Sequence, residues 1–150
     1  MRALRAAGVE HSQHPFDPER HRGAEGAAEA LGIDLHHTVK TIVFTTDDGG
    51  SAVVLIHGDL EVSTKKLARV MDVKSVRPAT QREADRLTGY PFGATSPLGM
   101  RSDPPVLAHE TVAVLERVYV NGGSRGFLIG MDTATLLELT AARVADVATD

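Results

Sequence analysis

Two apolar stretches joined by a short turn constrain the fold of this chain more than any other feature. The first runs from Lys40 to Thr46 and contains an Ile-Val-Phe run, and the second, from Ser51 to His57, is almost continuously apolar. Between them lies Asp47-Asp48-Gly49-Gly50, a sequence typical of the tight turn of a β-hairpin. A continuously apolar strand is covered on both faces, so the second stretch is predicted to lie in the middle of a sheet.

Helix and strand patterns alternate along the rest of the chain. Apolar spacing predicts a helix over residues 24–31 that ends at Gly32, and Ser63 is predicted to cap a second helix. Thr80-Gln81-Arg82-Glu83 is a capping box that opens a third helix, which ends at Gly89. Two more helices are expected at residues 2–7 and 133–140, a helical turn at 111–115, and short strands at 9–14, 73–77, 106–108, 117–121, 127–131 and 144–148. This mixture predicts an α+β fold: one domain over residues 1–150, with a mixed, mostly antiparallel curved sheet and helices packed around it.

The composition excludes several classes of protein. The chain has 150 residues and 42% hydrophobic content, which is enough for one domain with a buried core. It contains no cysteine, which excludes disulfides and thiolate chemistry. The apolar runs are too short to cross a bilayer, and the N-terminus lacks the apolar core of a signal peptide. We therefore expect a cytoplasmic protein without membrane association.

The net charge of −4 is unevenly distributed. Residues 63–101 contain eight basic and three acidic side chains, so this segment carries +5 and the remainder carries −9. A basic segment inside an acidic chain is typical of a surface that faces a polyanion. The candidates for contacts with a nucleic-acid backbone lie on the second and third helices: Lys65, Lys66, Arg69, Arg82 and Arg86.

The segment from Gly89 to Arg101, here called the Gly-rich loop, is predicted to form one wall of a ligand site. Its three glycines and two prolines exclude it from helix interiors and central strands. It also contains large apolar residues that a solvated linker rarely has: Tyr90, Phe92, Leu98 and Met100. Gly93 and Gly99 can adopt positive φ and leave backbone N–H groups free to bind an oxyanion, a carbonyl or a phosphate. The alternative is a rigid surface turn between two elements.

Single residues do not identify a reaction. Ser96 lies three residues from a glycine on either side, unlike the Gly-x-Ser-x-Gly frame of a serine hydrolase, so its hydroxyl is expected to order the loop or contact the ligand. An esterase that uses Ser96 as nucleophile is the alternative. Lys40 stands at the start of a strand, where the residue alone favours a solvated lysine over a functional one. The histidine spacing does not indicate a metal site, and we expect no metal or other cofactor. Residues 122–126 are consistent with a phosphate-binding loop or with a hairpin turn.

Four stretches occur together in a characteristic order. They are the helix from Ala24 to Gly32, Val39-Lys40-Thr41, the segment from Thr88 to Gly99, and the segment from Tyr119 to Gly126. In this arrangement the chain resembles the YbaK-like aminoacyl-tRNA deacylases, a family that includes the editing domain of bacterial prolyl-tRNA synthetase. The resemblance covers almost the whole chain and implies hydrolysis of the ester that joins a wrong amino acid to tRNA.

The resemblance also implies roles for particular residues. Lys40 would position the terminal adenosine or the phosphates of the tRNA, and the backbone N–H groups of the Gly-rich loop would hold the carbonyl or the amino-acid end. Water or a group of the substrate attacks the ester, with no protein nucleophile. The predicted catalytic set is Lys40, Gly93, Ser96 and Gly99. The predicted substrate-binding residues are Phe16, Arg22, Thr41, Ala94, Thr95, Pro97, Gly123, Ser124 and Thr135.

The chain departs from the family pattern at four of these positions. The family usually has tyrosine where this chain has Phe16, phenylalanine near Arg22, glycine at Ala94 and an acidic residue at Thr135. These positions are expected to line the amino-acid pocket, so the departures bear on cysteine specificity more than on the reaction class. The resemblance makes Cys-tRNA(Pro) the first expected substrate, and alanine, serine or another small amino acid is the alternative. Mischarged tRNA is the expected partner, together with a synthetase such as prolyl-tRNA synthetase. The second hypothesis is a non-catalytic tRNA- or synthetase-binding module that retains the pocket.

Overall fold

The computed structural model describes residues 2–91 and 93–150, so Phe92 of the Gly-rich loop lies outside the described residues. The helices are α1 Arg2–Ala7, α2 Gly23–Leu31, α3 Thr64–Met71, α4 Gln81–Thr88 and α5 Thr133–Thr140, with 3-10 turns at Leu35–His37 and Val112–Val114. The strands are β1 Ser12–Pro15, β2 Val39–Thr46, β3 Ser51–His57, β4 Val76–Pro78, β5 Val106–His109, β6 Arg117–Asn121, β7 Phe127–Asp132 and β8 Arg143–Ala145. Within the described ranges, no helix combines the length and the apolar character that crossing a bilayer requires.

The predicted hairpin is the centre of the fold. β2 and β3 pair antiparallel from Val39 opposite His57 to Thr45 opposite Ser51. The side chains from 52 to 56 are fully buried, because α3 covers one face of β3 and strands β6 and β7 cover the other. β3 also pairs in parallel with β5, so this sheet is mixed, as the sequence predicts.

The predicted curved sheet is divided into two sheets. The larger has the strand order β4-β2-β3-β5-β8, and the smaller, which is entirely antiparallel, has the order β1-β7-β6. Their inner faces enclose one apolar core, and an isolated bridge between Thr38 and Tyr119 joins them. The α+β class is confirmed; the division depends on long-range pairing that no local pattern encodes.

Two of the short strands begin later than predicted. The first residue of each predicted strand, Val9 and Val73, instead belongs to the end of the preceding helix. The Val9 amide donates to Leu4 O at 3.0 Å and closes α1. Likewise, the Val73 amide donates to Ala68 O at 3.0 Å and closes α3, where Asp72 adopts a positive φ. β1 and β4 therefore start only at Ser12 and Val76.

One edge of β2 is open over half of its length. β4 pairs only with residues 44–46, and the Ala79 amide then donates to Val43 O at 2.9 Å. In the described part of the chain, no strand ladder covers the outer edge between Val39 and Ile42. This exposed stretch of backbone, here called the open edge, positions the candidate site.

The N-terminus of α4 carries the predicted capping box. Thr80 Oγ1 accepts a hydrogen bond from the Glu83 amide at 3.2 Å, and the Glu83 carboxylate accepts one from the Thr80 amide at 2.8 Å. Arg77 donates to both carboxylate oxygens, at 2.9 and 3.0 Å. The hydrogen bond from Arg77, followed by the bond from Thr80, lowers the pKa of Glu83 to about 2.

Replacing Glu83 by glutamine is expected to destabilise the protein at neutral pH and to have a vanishing effect in acid. Because the folded-state pKa lies below the ordinary value of 4.5, the carboxylate stabilises the fold above about pH 4.5. That contribution is lost as the pH falls from there through about 2. Urea unfolding of both proteins across this range measures the difference, and a difference as large at pH 2 as at pH 7 would contradict the assignment.

Candidate functional site

A cleft of about 1040 Å³ lies along the open edge of β2. The outer face of the smaller sheet and the segment between β1 and α2 form one side. The N-terminal part of α4 and the Gly-rich loop form the other. An exposed strand edge offers main-chain N–H and C=O groups to a ligand, so the floor of this cleft can bind without side chains.

Six of the predicted site residues line this cleft. They are Phe16, Arg22, Lys40, Thr41, Gly93 and Thr95. Lys40 and the Gly-rich loop therefore share one cavity, as the sequence hypothesis requires. Gly93 and Gly99 have φ of 81° and 66°, the positive values that the sequence predicted for the bends of the loop.

The other predicted residues of the Gly-rich loop do not line the cleft. Ala94 and Ser96 are fully buried, and Ser96 Oγ accepts a hydrogen bond from the Leu98 amide at 3.2 Å. Pro97 is also buried, and Gly99 lies outside the lining residues. The Tyr90 hydroxyl donates to Leu98 O, which ties the loop to itself. Ser96 thus orders the loop, and its hydroxyl is not presented as a nucleophile.

Gly123, Ser124 and Thr135 are not brought to the cleft either. Gly123 packs against Tyr90, since a Cβ on this glycine would lie 2.7 Å from the tyrosine ring. Thr135 lies on α5, no residue of which lines the cleft. The turn between β6 and β7 reaches the cleft through its neighbouring residues instead.

Lys40 lines the cleft, and a backbone carbonyl holds its ammonium group. Its Nζ donates to Leu60 O at 2.8 Å and lies 3.9 Å from Glu61 Oε1. The lysine side chain is 25% exposed, whereas the Glu61 side chain is 82% exposed. A backbone carbonyl therefore fixes the direction of the ammonium group, while the exposed carboxylate neutralises little of its charge.

Thr41 contributes a hydroxyl without a partner. Its Oγ1 is inaccessible to solvent and has no hydrogen-bond partner among the described residues. Thr41 directly follows Lys40 on β2, so their side chains point to opposite faces of the sheet. Both residues nevertheless line the cleft. A buried hydroxyl without a partner is unfavourable, which makes Thr41 a candidate for direct contact with a ligand.

Sequence reasoning missed several lining residues. Asn121, Arg125 and Gly126 all line the cleft, whereas the site residues named from the 122–126 segment were Gly123 and Ser124. The alternation of inward and outward side chains along β6 could have identified Asn121. Val118 and Val120 are fully buried in the core, so Asn121 must face the other side of the sheet, toward the cleft.

The two basic helices differ in their relation to the cleft. Gln81 and Ala84 of α4 line it, and Arg82 and Arg86 on the same helix are exposed with no ion-pair partner in the described ranges. α3 instead covers the opposite face of the larger sheet, where Lys65 and Arg69 are exposed.

One predicted cation of α3 is already engaged. Lys66 Nζ lies 2.9 Å from Asp150 and 3.0 Å from Asp146, and the bond to Asp150, followed by that to Asp146, raises the pKa of this lysine. Lys66 is therefore committed to carboxylates of the chain itself, which leaves α4 as the better placed of the two basic helices.

A histidine cluster away from the cleft has metal-binding side chains but not a metal-binding geometry. His36, His57 and Asp59 offer ligand atoms within 4.8 Å of one another. The two imidazole rings, however, stack in parallel at 3.7 Å, so their lone pairs run side by side and do not converge. The ring nitrogens of His57 already contact His36 O at 2.6 Å and Thr111 Oγ1 at 2.7 Å, and burial lowers the pKa of this histidine.

Known proteins resemble this chain in both sequence and fold. The sequence model of a family described as the aminoacyl-tRNA editing domain matches residues 19–139. An Enterococcus faecalis protein named "Putative Cys-tRNA(Pro)/Cys-tRNA(Cys) deacylase EbsC" is 31% identical over 150 residues, covering 99% of this chain and 92% of that protein. A proline–tRNA ligase of Ralstonia nicotianae is 34% identical over 127 residues, covering 82% of this chain and 22% of the ligase. A solved structure described as "a putative trans-editing enzyme for prolyl tRNA synthetase" has a TM-score of 0.88 and 28% identity, covering 99% of this chain and 94% of that chain.

Proposed function

Because this chain belongs to the aminoacyl-tRNA editing domain family, we propose that it is a trans-editing deacylase that hydrolyses the ester of mischarged aminoacyl-tRNA. The observation that carries the proposal is the single cleft shared by Lys40, the Gly-rich loop and the open edge of β2. Residues 1–150 form one editing domain in this proposal, and the protein works in the cytoplasm, where aminoacyl-tRNA is made. A synthetase such as prolyl-tRNA synthetase is the proposed protein partner.

The proposed reaction uses fixed charges and no protein nucleophile. Water attacks the ester carbonyl, the free hydroxyl of the terminal ribose relays a proton from that water to the leaving ribose oxygen, and the bond to that oxygen breaks, which releases the amino acid. The Gly93 end of the loop supplies main-chain donors to the developing oxyanion, and Lys40 supplies a fixed positive charge beside the terminal nucleotide. Ser96 supports this arrangement from inside the loop, where its Oγ accepts from the Leu98 amide.

The lining of the cleft favours a small amino acid. Ala24 and Ala27 of α2 face the cleft, and Phe16 and Leu128 add apolar surface. A pocket of this kind suits a short side chain without charge, and apolar contacts alone discriminate weakly between residues that differ by one small group. Cys-tRNA(Pro) is the first proposed substrate, which agrees with the name of the Enterococcus faecalis relative. Alanine and serine esters of tRNA are the next.

Deacylation of a panel of charged tRNAs tests the proposal. We expect release of labelled cysteine, alanine or serine from tRNA(Pro), with Pro-tRNA(Pro) hydrolysed no faster than in buffer. Pro-tRNA(Pro) is the matched control, because it differs from the substrates only in the amino acid.

If the protein binds tRNA(Pro) and releases no amino acid from any member of the panel, the deacylase proposal fails. The protein would then be a binding module that retains the pocket. Release that requires Ser96 and proceeds equally from simple esters would instead indicate an esterase.

A further inference from the structure

We propose that Arg125 is a positioning residue that binds a phosphate of the tRNA 3′ end at the mouth of the cleft. In the free protein, the guanidinium of Arg125 forms an ion pair with the Glu19 carboxylate, which the phosphate would replace. This inference rests on the proposed function, because it names the part of the tRNA that the mouth of the cleft holds. Neither residue is among the site residues named from the sequence, although Arg125 lies in the 122–126 segment that the sequence offered as a phosphate-binding loop.

The side chain of Arg125 spans the entrance of the cleft. Its Nη1 lies 3.5 Å from Glu19 Oε1, in the segment between β1 and α2. On the other side, a Cβ built on Gly93 would lie 3.9 Å from Arg125 Cγ and 4.0 Å from its Nε. The guanidinium therefore stands beside the backbone that is proposed to hold the reacting carbonyl.

The turn that carries Arg125 is fixed on both sides. The Phe16 amide donates to Gly126 O at 2.8 Å, and the Gly122 amide donates to Phe127 O at 2.9 Å. Gly126 packs so closely on Phe16 and Pro18 that a Cβ there would lie 2.7 Å from Pro18 Cδ. Gly123 is packed equally closely against the Tyr90 ring. Because this turn is already fixed, Arg125 loses little conformational freedom when it binds a ligand, and this favours affinity.

The ion pair with Glu19 is easily exchanged. The side chains of Arg125 and Glu19 are 53% and 69% exposed, and an exposed pair of this kind contributes about 0–1 kcal/mol. Arg77 in the same chain shows the contrast, since it holds Glu83 through two bonds at 2.9 and 3.0 Å. A phosphodiester offers a guanidinium two acceptor oxygens in the geometry that it binds best, so it can displace the carboxylate.

Arg125 is the cation of the cleft that lies beside the Gly-rich loop. Lys40 donates to Leu60 O at 2.8 Å, which holds its ammonium against the segment between β3 and α3. Arg22 lines the cleft as well, at the N-terminal boundary of α2. Of these cations, Arg125 is the one that packs against Gly93, so it is placed to bind a phosphate of the RNA beside the Gly-rich loop.

Binding of a short single-stranded RNA that ends in CCA tests the inference without any catalytic step. Fluorescence anisotropy compares wild type with Arg125→Ala, and adenosine serves as the ligand without phosphate. We expect Arg125→Ala to weaken RNA binding about tenfold, and to lower the slope of log affinity against log salt by about 0.7, as expected for one lost phosphate contact on a single strand. Adenosine binding should stay unchanged.

Matched variants sharpen the test. Glu19→Gln should tighten RNA binding, because it removes the competing carboxylate, and this gain should disappear when it is combined with Arg125→Ala. Arg20→Ala removes the same charge from an exposed residue that does not line the cleft, and it should change the affinity less than twofold. Arg125→Lys keeps the charge without the planar fork and should restore part of the affinity.

Three outcomes would overturn the inference. An equal loss of RNA and adenosine binding would mean that Arg125 only supports the cleft wall. Unchanged RNA binding would mean that it contacts no phosphate. If inorganic phosphate competes as well as the oligonucleotide, the site belongs to a free anion. This measurement uses RNA without an attached amino acid. It can therefore fail while deacylation succeeds, or succeed while deacylation fails.

Discussion

Replacing Lys40 by alanine is expected to lower the rate of aminoacyl-tRNA deacylation by about a hundredfold or more. The ammonium is fixed by Leu60 O, and Lys40 lines the same cleft as the Gly-rich loop. A fixed charge beside the terminal nucleotide holds the ester in place on the Gly-rich loop, and a misplaced ester reacts slowly, so the loss should appear in kcat as well as in KM. Single-turnover hydrolysis of the best substrate from the panel measures it.

Two controls separate this role from a structural one. Lys74→Ala removes a lysine from an exposed position outside the cleft and should leave the rate within twofold of wild type. Lys40→Met keeps the aliphatic stem but not the charge, so it should be as inactive as the alanine variant while unfolding close to wild type. If Lys40→Met deacylates at the normal rate, the proposed role of the ammonium group is wrong.

Gly126→Ala is expected to have the largest effect on stability, about 2–5 kcal/mol. Two costs combine at this position. The backbone has a φ of 75°, which an alanine adopts unfavourably, and the added Cβ would collide with Phe16 O and Pro18. Because these contacts join the β6–β7 turn to the segment after β1, the variant should also open the cleft and reduce deacylation.

Gly49→Ala isolates the first of these costs. Gly49 has a φ of 88°, but nothing lies within 4 Å of a Cβ built there. This variant should lose about 1–2 kcal/mol and retain full activity, since Gly49 lies in the β2–β3 turn, outside the cleft lining. Chemical unfolding of both variants gives the comparison, and equal destabilisation would show that the contact with Phe16 does not constrain the turn.

The elements that local chemistry determines were predictable from the sequence. The Asp-Asp-Gly-Gly turn set the β2–β3 hairpin, and its flanking apolar runs identified β3 as the central strand. Ser63 and the Thr80–Glu83 box marked the starts of α3 and α4, since each satisfies backbone donors within one helical turn. The division into two sheets could not be predicted, because Thr38 and Tyr119 meet across 81 residues of chain.

The candidate site was predictable at the level of segments and less so at the level of side chains. The resemblance brought Lys40 and the Gly-rich loop together, and both line the cleft. Which side of the loop faces the cleft depends on core packing, and there Ser96 is fully buried while Thr95 lines the cavity. Arg125 lies in the 122–126 segment that the sequence offered as a phosphate-binding loop, but no role was assigned to it, because its importance arises from distances to Glu19 and Gly93.

The open edge of β2 affects how such an enzyme can change over evolutionary time. Main-chain amides and carbonyls are retained through every substitution except proline, so the groups on the floor of the cleft are nearly immune to point mutation. The walls, by contrast, consist of side chains such as Phe16 and Arg22, which one codon change can replace. A lineage can therefore exchange one amino-acid preference for another through its side chains, while the main-chain groups that bind the common end of its substrates stay unaltered.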